Sequence, residues 1–472
     1  MSGRLPVRRR SIRRRLVVLA VTAVLVGACT GDPAAGPLDS PRTNRVRTAP
    51  PPKVWGSGPA DLGLKWNMSL QPPLAYAAQL GSGVTFTEVE WCPLQAVGPA
   101  GAMDQIDKAL TQAHEVGFTL MVKLRAGDCD GSPPVTDPAD GLSKSPSRLP
   151  KDPELYREWI DTVVRHYARR GVHTWAVENE VDAANFWAGS PQDYTDVAKL
   201  AIATIRQADP ESFVLDAGIS SSGYGVAMAG ELVDAGRGAE ALRLYQAYYS
   251  RRQAGGSSRF PAVADEAALR EVLSGERAVV ARAMITANWA LVNDGLVDAY
   301  QLHFYEDPAV LPNVLQYLDN HLDVPIPIQA WEVGTAWPGA DYSETHHAQE
   351  VAHLVGLLLA RRISPVVYLP LAFTPRAGKE QVFRGLVTAD GTILESGRVF
   401  ARLAAAIAQS SSIKALNTPD GQLVGALLLG PDASLAVTWA AGAEPALHDL
   451  PGGADAALTD LNSRIGLAVT AN

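Results

Sequence analysis

The sequence predicts an α/β protein, a (β/α)8 TIM barrel followed by a small antiparallel β domain. Three observations lead there. From residue 59, short apolar runs alternate with longer amphipathic stretches. Such strand–helix alternation builds a parallel sheet. It counts to eight units over roughly 350 residues, which suits a barrel with additions better than an open doubly wound sheet. After residue 408 the pattern changes to short alternating runs between Gly, Asp and Pro turns.

The eight strands are expected at Gly63–Asn67, Val84–Glu90, Thr119–Leu124, His173–Glu178, Phe213–Ala217, Asp298–Phe304, Ile326–Trp331 and Pro365–Leu371. Helical periodicity falls between them, as in Met103–Val116, Pro153–Arg169, Pro191–Ala208 and Glu344–Ala360. The barrel spans 59–408. Its longest connection, about 220–295, reads as a helical insertion that either shapes a cleft on the top face or decorates the side. Residues 409–472 form the β domain, with strands expected at Gln422–Leu429, Ser434–Trp439 and Ile465–Thr470. A structural cap suits it better than a sugar-binding role.

The chain has 472 residues, 47% apolar and 19% charged, which excludes wholesale disorder. Its 41 Gly and 33 Pro lack the period of a collagen repeat. No internal repeat, P-loop or GxGxxG sequence occurs. The net charge of −9 argues against a nucleic-acid partner. Arg4, Arg8, Arg9, Arg10, Arg13, Arg14 and Arg15 crowd the start, with no acid before Asp32. Without residues 1–28 the chain keeps 34 basic against 50 acidic residues.

The first 29 residues read as an address. The apolar run Leu16 to Ala28 is shorter than the ~20 residues of a membrane span and matches the core of a secretory signal. It ends in Val26-Gly27-Ala28-Cys29, which resembles a bacterial lipoprotein cleavage box, with Cys29 taking the lipid. The competing reading is a plain anchor helix with an incidental Cys. Residues 30–58, with Pro50-Pro51-Pro52, read as an exposed tether. In an exported protein Cys92 and Cys129 either form a disulfide or remain two buried thiols.

Two glutamates carry the chemistry. Trp175-Ala176-Val177-Glu178-Asn179-Glu180 closes the fourth strand, and Ile328-Gln329-Ala330-Trp331-Glu332-Val333-Gly334 closes the seventh. Barrel active sites form at the C-terminal strand ends, so Glu180 and Glu332 are expected to face each other across the mouth. Opposed carboxylates suit cleavage of a glycosidic bond: one donates a proton to the leaving oxygen and the other attacks the anomeric carbon. Asn179 is placed to bond a sugar hydroxyl. Each residue alone has a bland reading, a solvated loop charge or cap neighbour; their combination does not.

From about Gly63 to Ile407 the chain resembles the retaining glycoside hydrolases of the (β/α)8 clan with catalytic glutamates on strands four and seven. Family 39, the β-xylosidase and α-iduronidase type, is most similar, with family 5 next. The resemblance rests on Arg165-His166-Tyr167 before strand four, Trp175 through Asn179-Glu180, and Asn185-Phe186-Trp187. Tyr194, Ala208-Asp209-Pro210, His303-Phe304-Tyr305, Gly385-Leu386-Val387 and Asp390-Gly391 continue it. It implies Glu180 as acid/base, Glu332 as nucleophile, Tyr305 bonded to the nucleophile, and His303 supporting the acid/base or the sugar.

The chain also departs from that group. The usual Arg near the end of strand two is absent, and Glu88 and Glu90 stand there. Arg125, on strand three, is expected to supply the missing cation or else to pair with Asp128. Strand three lacks the usual Pro-Trp, and strand eight lacks the usual Trp, for which Tyr368 or Phe373 would substitute. The extra carboxylates disfavour an acidic sugar. Of Trp66, Trp91, Trp187 and Trp337, we expect Trp91 and Trp337 to stack on sugar rings. His346-His347 point about 100° apart on a helix, so no metal is expected, nor any cofactor.

These readings add up to an exported, lipid-anchored retaining glycoside hydrolase with a carbohydrate substrate, membrane attachment through its lipid, and slight preference for exo action. Its rivals are a silent sugar-binding lipoprotein and a transglycosylase on envelope glycans.

Overall fold

The computed structural model describes residues 61–66, 73–81, 83–94, 99–129, 135–136, 143–255, 259–337, 342–373, 382–388, 390–439 and 444–472. The expected signal, Cys29 and the tether lie outside the described residues.

Eight parallel strands form the barrel: β1 (Leu62–Leu64), β2 (Val84–Glu90), β3 (Thr119–Arg125), β4 (Thr174–Val177), β5 (Phe213–Leu215), β6 (Tyr300–Phe304), β7 (Ile328–Val333) and β8 (Val366–Tyr368). Neighbours in sequence are neighbours in the ring, and β8 pairs back onto β1 from Leu62↔Val366 to Leu64↔Tyr368. Bridges Leu215↔Ala299 and Ile219↔Leu302 join β5 to β6. All eight fall where the apolar runs place them, within one to three residues at each end.

Side chains alternate across each strand, so every second residue enters the barrel. Val84, Phe86, Met121, Ala176, Leu215, Ala299, Trp331 and Val367 fill its centre. Trp331 is fully buried and stacks on Phe86, ring centroids 5.9 Å apart. The other faces pack against the helices. Two of these start as the sequence dictates: Asp152 caps Pro153–Ala168, and a Ser190/Asp193 capping box starts Pro191–Ala208.

The strand β7 is irregular. Gln301↔Gln329 is followed by His303↔Glu332, and Val366↔Ala330 by Tyr368↔Val333. Both neighbours therefore see one extra residue in β7, a β-bulge. Strict alternation would put Trp331 and Glu332 on opposite faces; the bulge turns both into the barrel.

Between β5 and β6 the chain forms five helices, from Ser221–Asp234 to Glu276–Asn293. The first and last of them, with Phe260 between, wall a cavity of about 650 Å³ against the loop after β4, with Asp182, Asn185, Trp187, Ser222, Phe260 and Val280 in its lining. Neither Glu180 nor Glu332 lines it.

Cys92 and Cys129 are bonded, with Cα atoms 5.0 Å apart. The bond ties the short helix Trp91–Leu94, which follows β2, to the segment after β3.

The C-terminal segment is a five-stranded antiparallel sheet, β9 (Ser412–Asn417), β10 (Leu423–Leu429), β11 (Ala433–Thr438), β12 (Ala446–Pro451) and β13 (Thr470–Ala471), in the order β12-β11-β10-β9-β13. The expected strand Ile465–Thr470 is corrected: Ala454–Ile465 is a helix, closed by Gly466 at φ 66°. Ala457 and Leu461 lie one helical turn apart and bury together, a period that overrides the weak alternation after Ile465. Strands β9 and β12 were not anticipated.

Truncating Trp331 to Ala empties the barrel centre. The expected loss is about 3–5 kcal/mol of unfolding free energy by urea denaturation. A loss below about 1 kcal/mol would contradict the packing described.

Candidate active site

The site begins with alternation on β3. Met121 enters the barrel core, so Lys123 and Arg125, two and four residues on, face the same way higher up. Both cationic side chains are fully buried. Burial of a charge is tolerable only with a partner, and each has a different set.

Arg125 is held by carboxylates. Its Nη1 donates to Glu88 Oε1 at 2.8 Å and Glu90 Oε1 at 2.5 Å, and its Nη2 to the Phe186 carbonyl at 3.2 Å. Its Nε lies 3.8 Å from Glu178 Oε2. The three acids hold the guanidinium's pKa above its ordinary value despite burial. Arg125 therefore pairs with Glu88 and Glu90 and is not the cation beside Glu332, which corrects the expectation drawn from the sequence. Nor does it pair with Asp128, which faces Arg148 at 3.7 Å.

The cation at Glu332 is Lys123. Its Nζ donates to Glu332 Oε1 at 2.5 Å and to Asn179 Oδ1 at 2.6 Å, and lies 3.3 Å from His303 Nε2. A second lysine stands nearby. Lys65, after β1, donates to the Phe86 carbonyl and lies over the Phe86 ring, 4.4 Å from its centroid. Burial lowers its pKa to about 8, against the pull of Glu88 and Glu332.

Glu180 and Glu332 meet across the mouth. Tyr305 donates its hydroxyl to Glu332 Oε2 at 3.1 Å, and Glu180 Oε1 lies 3.0 Å from His303 Nδ1. One oxygen of each carboxylate and one His303 nitrogen all lie within 4.8 Å of one another. Each glutamate side chain keeps 13% of its surface exposed, while His303 is sealed.

Backbone irregularity aims these groups. Glu178 and Glu180 have φ of 69° and 40°, a left-handed conformation that costs a non-glycine residue about 1–2 kcal/mol. Their amides still bond both neighbouring strands, Glu178 to the Leu124 carbonyl at 2.9 Å and Glu180 to that of Ala217 at 3.0 Å. The ladder fixes the backbone while the twist brings Asn179 to Lys123 and Glu180 to His303, and sends Glu178 to the Ala126 amide beside Arg125. Asp182, two residues on, accepts from the Ser220 amide at 2.7 Å and hydroxyl at 2.6 Å, and burial pushes its pKa up to about 7.

A metal fits poorly here. Glu180, His303 and Glu332 offer three ligand atoms, but the Lys123 ammonium already lies against Glu332 and His303. A metal ion would face a buried like charge. His346 and His347 go separate ways, to Glu350 at 3.3 Å and to the Tyr368 hydroxyl at 2.9 Å.

The aromatic expectations fare worse. Trp91 is 4% exposed and packs on Tyr156 at 5.3 Å, so it is core and not a sugar platform. Trp66 packs on Phe118 and bonds Gln112, and Trp187 is also buried. Tyr368 is buried, its hydroxyl engaged by His347 and the Arg384 carbonyl, so it offers no open ring face. Trp337 lies on the strand Thr335–Trp337, paired with Val382–Arg384; its side chain, like that of Phe373, is outside the described residues. Lys65, Lys123 and Gln301 were missed as site residues. The signal for Lys123 was present, two residues from Met121 on the inward face of β3.

The fold and site together define a closed (β/α)8 barrel with two carboxylates opposed at the C-terminal ends of β4 and β7. No family model and no curated protein matches the chain. Solved structures do. A family 39 glycoside hydrolase from Bacteroides cellulosilyticus is 13% identical over 84% of this chain and 71% of its own, with a TM-score of 0.48. A glucosidase from Croceicoccus marinus is 11% identical over 82% of this chain and 75% of its own, TM-score 0.49. A monomeric β-xylosidase from Caulobacter crescentus is 14% identical over 82% and 75%, TM-score 0.47. At such identities and scores they carry no argument about this chain's activity.

Glu178 gives a test. It is fully buried, and burial pushes its pKa from 4.5 to about 7 against the attraction of Arg125 and the bond from the Ala126 amide. The folded protein thus binds this proton more tightly than the unfolded chain. The associated stability is present below about pH 4.5 and is lost as pH rises to about 7. Glu178→Gln stays neutral, so its unfolding free energy should fall less across that window than the wild type's, read by urea denaturation. An equally steep fall in both would contradict the assignment.

Proposed function

We propose that this protein is a retaining glycoside hydrolase, exported and lipid-anchored. The observation that carries the reading is the carboxylate pair, with oxygens of Glu180 and Glu332 within 4.8 Å. That spacing lies closer to the ~5–5.5 Å carboxyl separation of retaining enzymes than to the ~6.5–9.5 Å of inverting enzymes, which hold a water between their carboxyls.

Glu332 is the nucleophile. The Lys123 ammonium and the Tyr305 hydroxyl stabilise its negative charge and fix one oxygen each. Its free lone pair attacks the anomeric carbon as Glu180 donates its proton to the departing oxygen. A glycosyl-enzyme ester forms. Glu180, now a carboxylate, takes a proton from water, which attacks the same carbon and releases Glu332. Asn179 contributes its amide N–H groups to the sugar, since its oxygen is taken by Lys123. Among the described residues the Lys65 ammonium has one hydrogen-bond acceptor, the Phe86 carbonyl, leaving N–H groups for glycone hydroxyls. Arg125 acts behind this layer, pairing with Glu88 and Glu90.

A panel of aryl glycosides (xyloside, glucoside, arabinofuranoside, galactoside, mannoside), followed by polymeric envelope glycans, tests the chemistry. Turnover is expected on at least one, with retained anomeric configuration in the first product. Glu332→Gln should abolish it, and Glu180→Gln should cost ~10²–10⁴-fold on unactivated leaving groups. Glycan binding without turnover, unchanged in Glu332→Gln, would leave a sugar-binding protein instead.

The anchor rests on Val26-Gly27-Ala28-Cys29 behind the Arg-rich start and apolar run. Cys29→Ser should move the protein out of the membrane fraction and abolish incorporation of a labelled fatty acid. Labelling that persists in this variant would refute lipidation at Cys29.

A further inference from the structure

The structure assigns Gln301 as the positioning residue that fixes which His303 nitrogen carries the proton, and so keeps Glu180 in its proton-donating form. The inference rests on Glu180 being the acid/base.

His303 has two competing partners at Nε2: Gln301 Oε1 at 2.9 Å and Lys123 Nζ at 3.3 Å. They demand opposite tautomers. An amide oxygen only accepts, so it requires Nε2–H; an ammonium only donates, so it requires a bare Nε2. The nitrogen that bonds Glu180 is the other one, Nδ1, at 3.0 Å. If the neutral ring carries its proton on Nε2, Nδ1 is an acceptor and Glu180 must donate to it. If the proton sits on Nδ1, Glu180 accepts, and its carboxylate is favoured instead.

The tie is broken behind the histidine. The Gln301 amide is pinned by its nitrogen, which donates to the Asp216 carbonyl at 2.7 Å. A carbonyl cannot donate, so the amide cannot flip, and its oxygen must face Nε2. The anchor is itself fixed. The Asp216 carboxylate accepts from the Gln301 backbone N–H at 2.6 Å, Asn288 Nδ2 at 2.5 Å and the Gly218 backbone N–H at 3.2 Å. Asn288 in turn accepts from the Tyr194 hydroxyl at 2.6 Å. Gln301, His303, Asp216 and Asn288 are all buried, so water does not compete. Lys123 spends two of its three N–H groups on Glu332 and Asn179 at 2.5 and 2.6 Å, and its contact with Nε2 at 3.3 Å is longer than that of the pinned Gln301 oxygen at 2.9 Å. The tautomer of His303 is thus written by a chain running from Asn288 through Asp216 and Gln301, away from the substrate.

Other ionisable groups face the Glu180–His303 pair: Lys123 from β3, Asp182 from the loop after β4, Asp216 after β5, and Tyr305 and Glu332 from the ends of β6 and β7. Lys65 acts on Glu332 from β1. All remain in place when Gln301 is replaced, so the change read below belongs to Gln301.

Gln301→Met removes both ends of the anchor. Nε2 is then free to accept from Lys123, and Nδ1–H to donate to Glu180. The basic limb of kcat/KM should move to lower pH by on the order of one unit. Turnover of a glycoside with a poor leaving group should fall at least ten-fold more than that of a dinitrophenyl glycoside, whose departure needs no proton. A purely structural role would lower both alike and leave the limb in place, and that result overturns the proposal. Should the variant not fold, 15N spectra of histidine-labelled wild type decide, with His303 assigned by its loss in His303→Gln. The proton is expected on Nε2 alone, and a proton on Nδ1, in a neutral or a charged ring, overturns the proposal. If Glu180→Gln discriminates no more between the two leaving groups than the wild type does, the acid/base reading itself fails, whatever the tautomer.

Discussion

A lysine ammonium with no solvent contact needs acceptors, and Lys123 finds them on two strands. Its Nζ draws together Asn179 from the end of β4 and Glu332 from β7, with His303 Nε2 of β6 3.3 Å away. Taking such a charge out of water costs several kcal/mol, offset only when the geometry is tight and the other polar atoms are satisfied. The distances of 2.5 and 2.6 Å are of that kind. The ion pair therefore sets the spacing of the mouth. It holds one Glu332 oxygen and leaves the other to Tyr305.

The backbone departs from regularity where this arrangement requires it. The β7 bulge lets Trp331 fill the barrel centre while Glu332, its neighbour, still points inward. The left-handed Glu178 and Glu180 do the equivalent at β4. Strain of this sort persists only where surrounding contacts over-determine it. Here the ladder bonds to Leu124 and Ala217 do so. Behind this layer a second charge cluster repeats the logic: Arg125 binds Glu88 and Glu90 and faces Glu178 at 3.8 Å, so a buried cation again draws carboxylates from neighbouring strands together.

How much of this was legible beforehand follows from what each residue's position depends on. The eight strands were readable because apolar runs between turn residues depend on local pattern alone. The opposition of Glu180 and Glu332 was readable because both follow such runs in a closed barrel. Arg125 was misjudged because pairing is a three-dimensional choice. Glu88 and Glu90 lie directly across the sheet on β2, in register with Lys123 and Arg125, so they capture the guanidinium before it reaches Glu332. Trp91 was misjudged because a tryptophan at a strand end can turn outward under a helix as easily as upward toward a ligand, and Tyr156 receives it. The Ala454–Ile465 helix was hidden by a short alternating run beyond its cap. The Gln301 chain left no sequence signal, since its meaning lies in which amide atom meets which partner.

The central claim is that Glu332, clasped by Lys123 and Tyr305, attacks the anomeric carbon. Incubation with a 2-deoxy-2-fluoroglycosyl fluoride of the preferred sugar tests it most directly, because the 2-fluorine slows both steps while the reactive fluoride leaving group restores the first, so the covalent intermediate accumulates. Peptide mass mapping should find one glycosyl adduct, on the peptide carrying Glu332, with time-dependent loss of activity. An adduct on Glu180, or inactivation with no covalent adduct at all, would contradict the account.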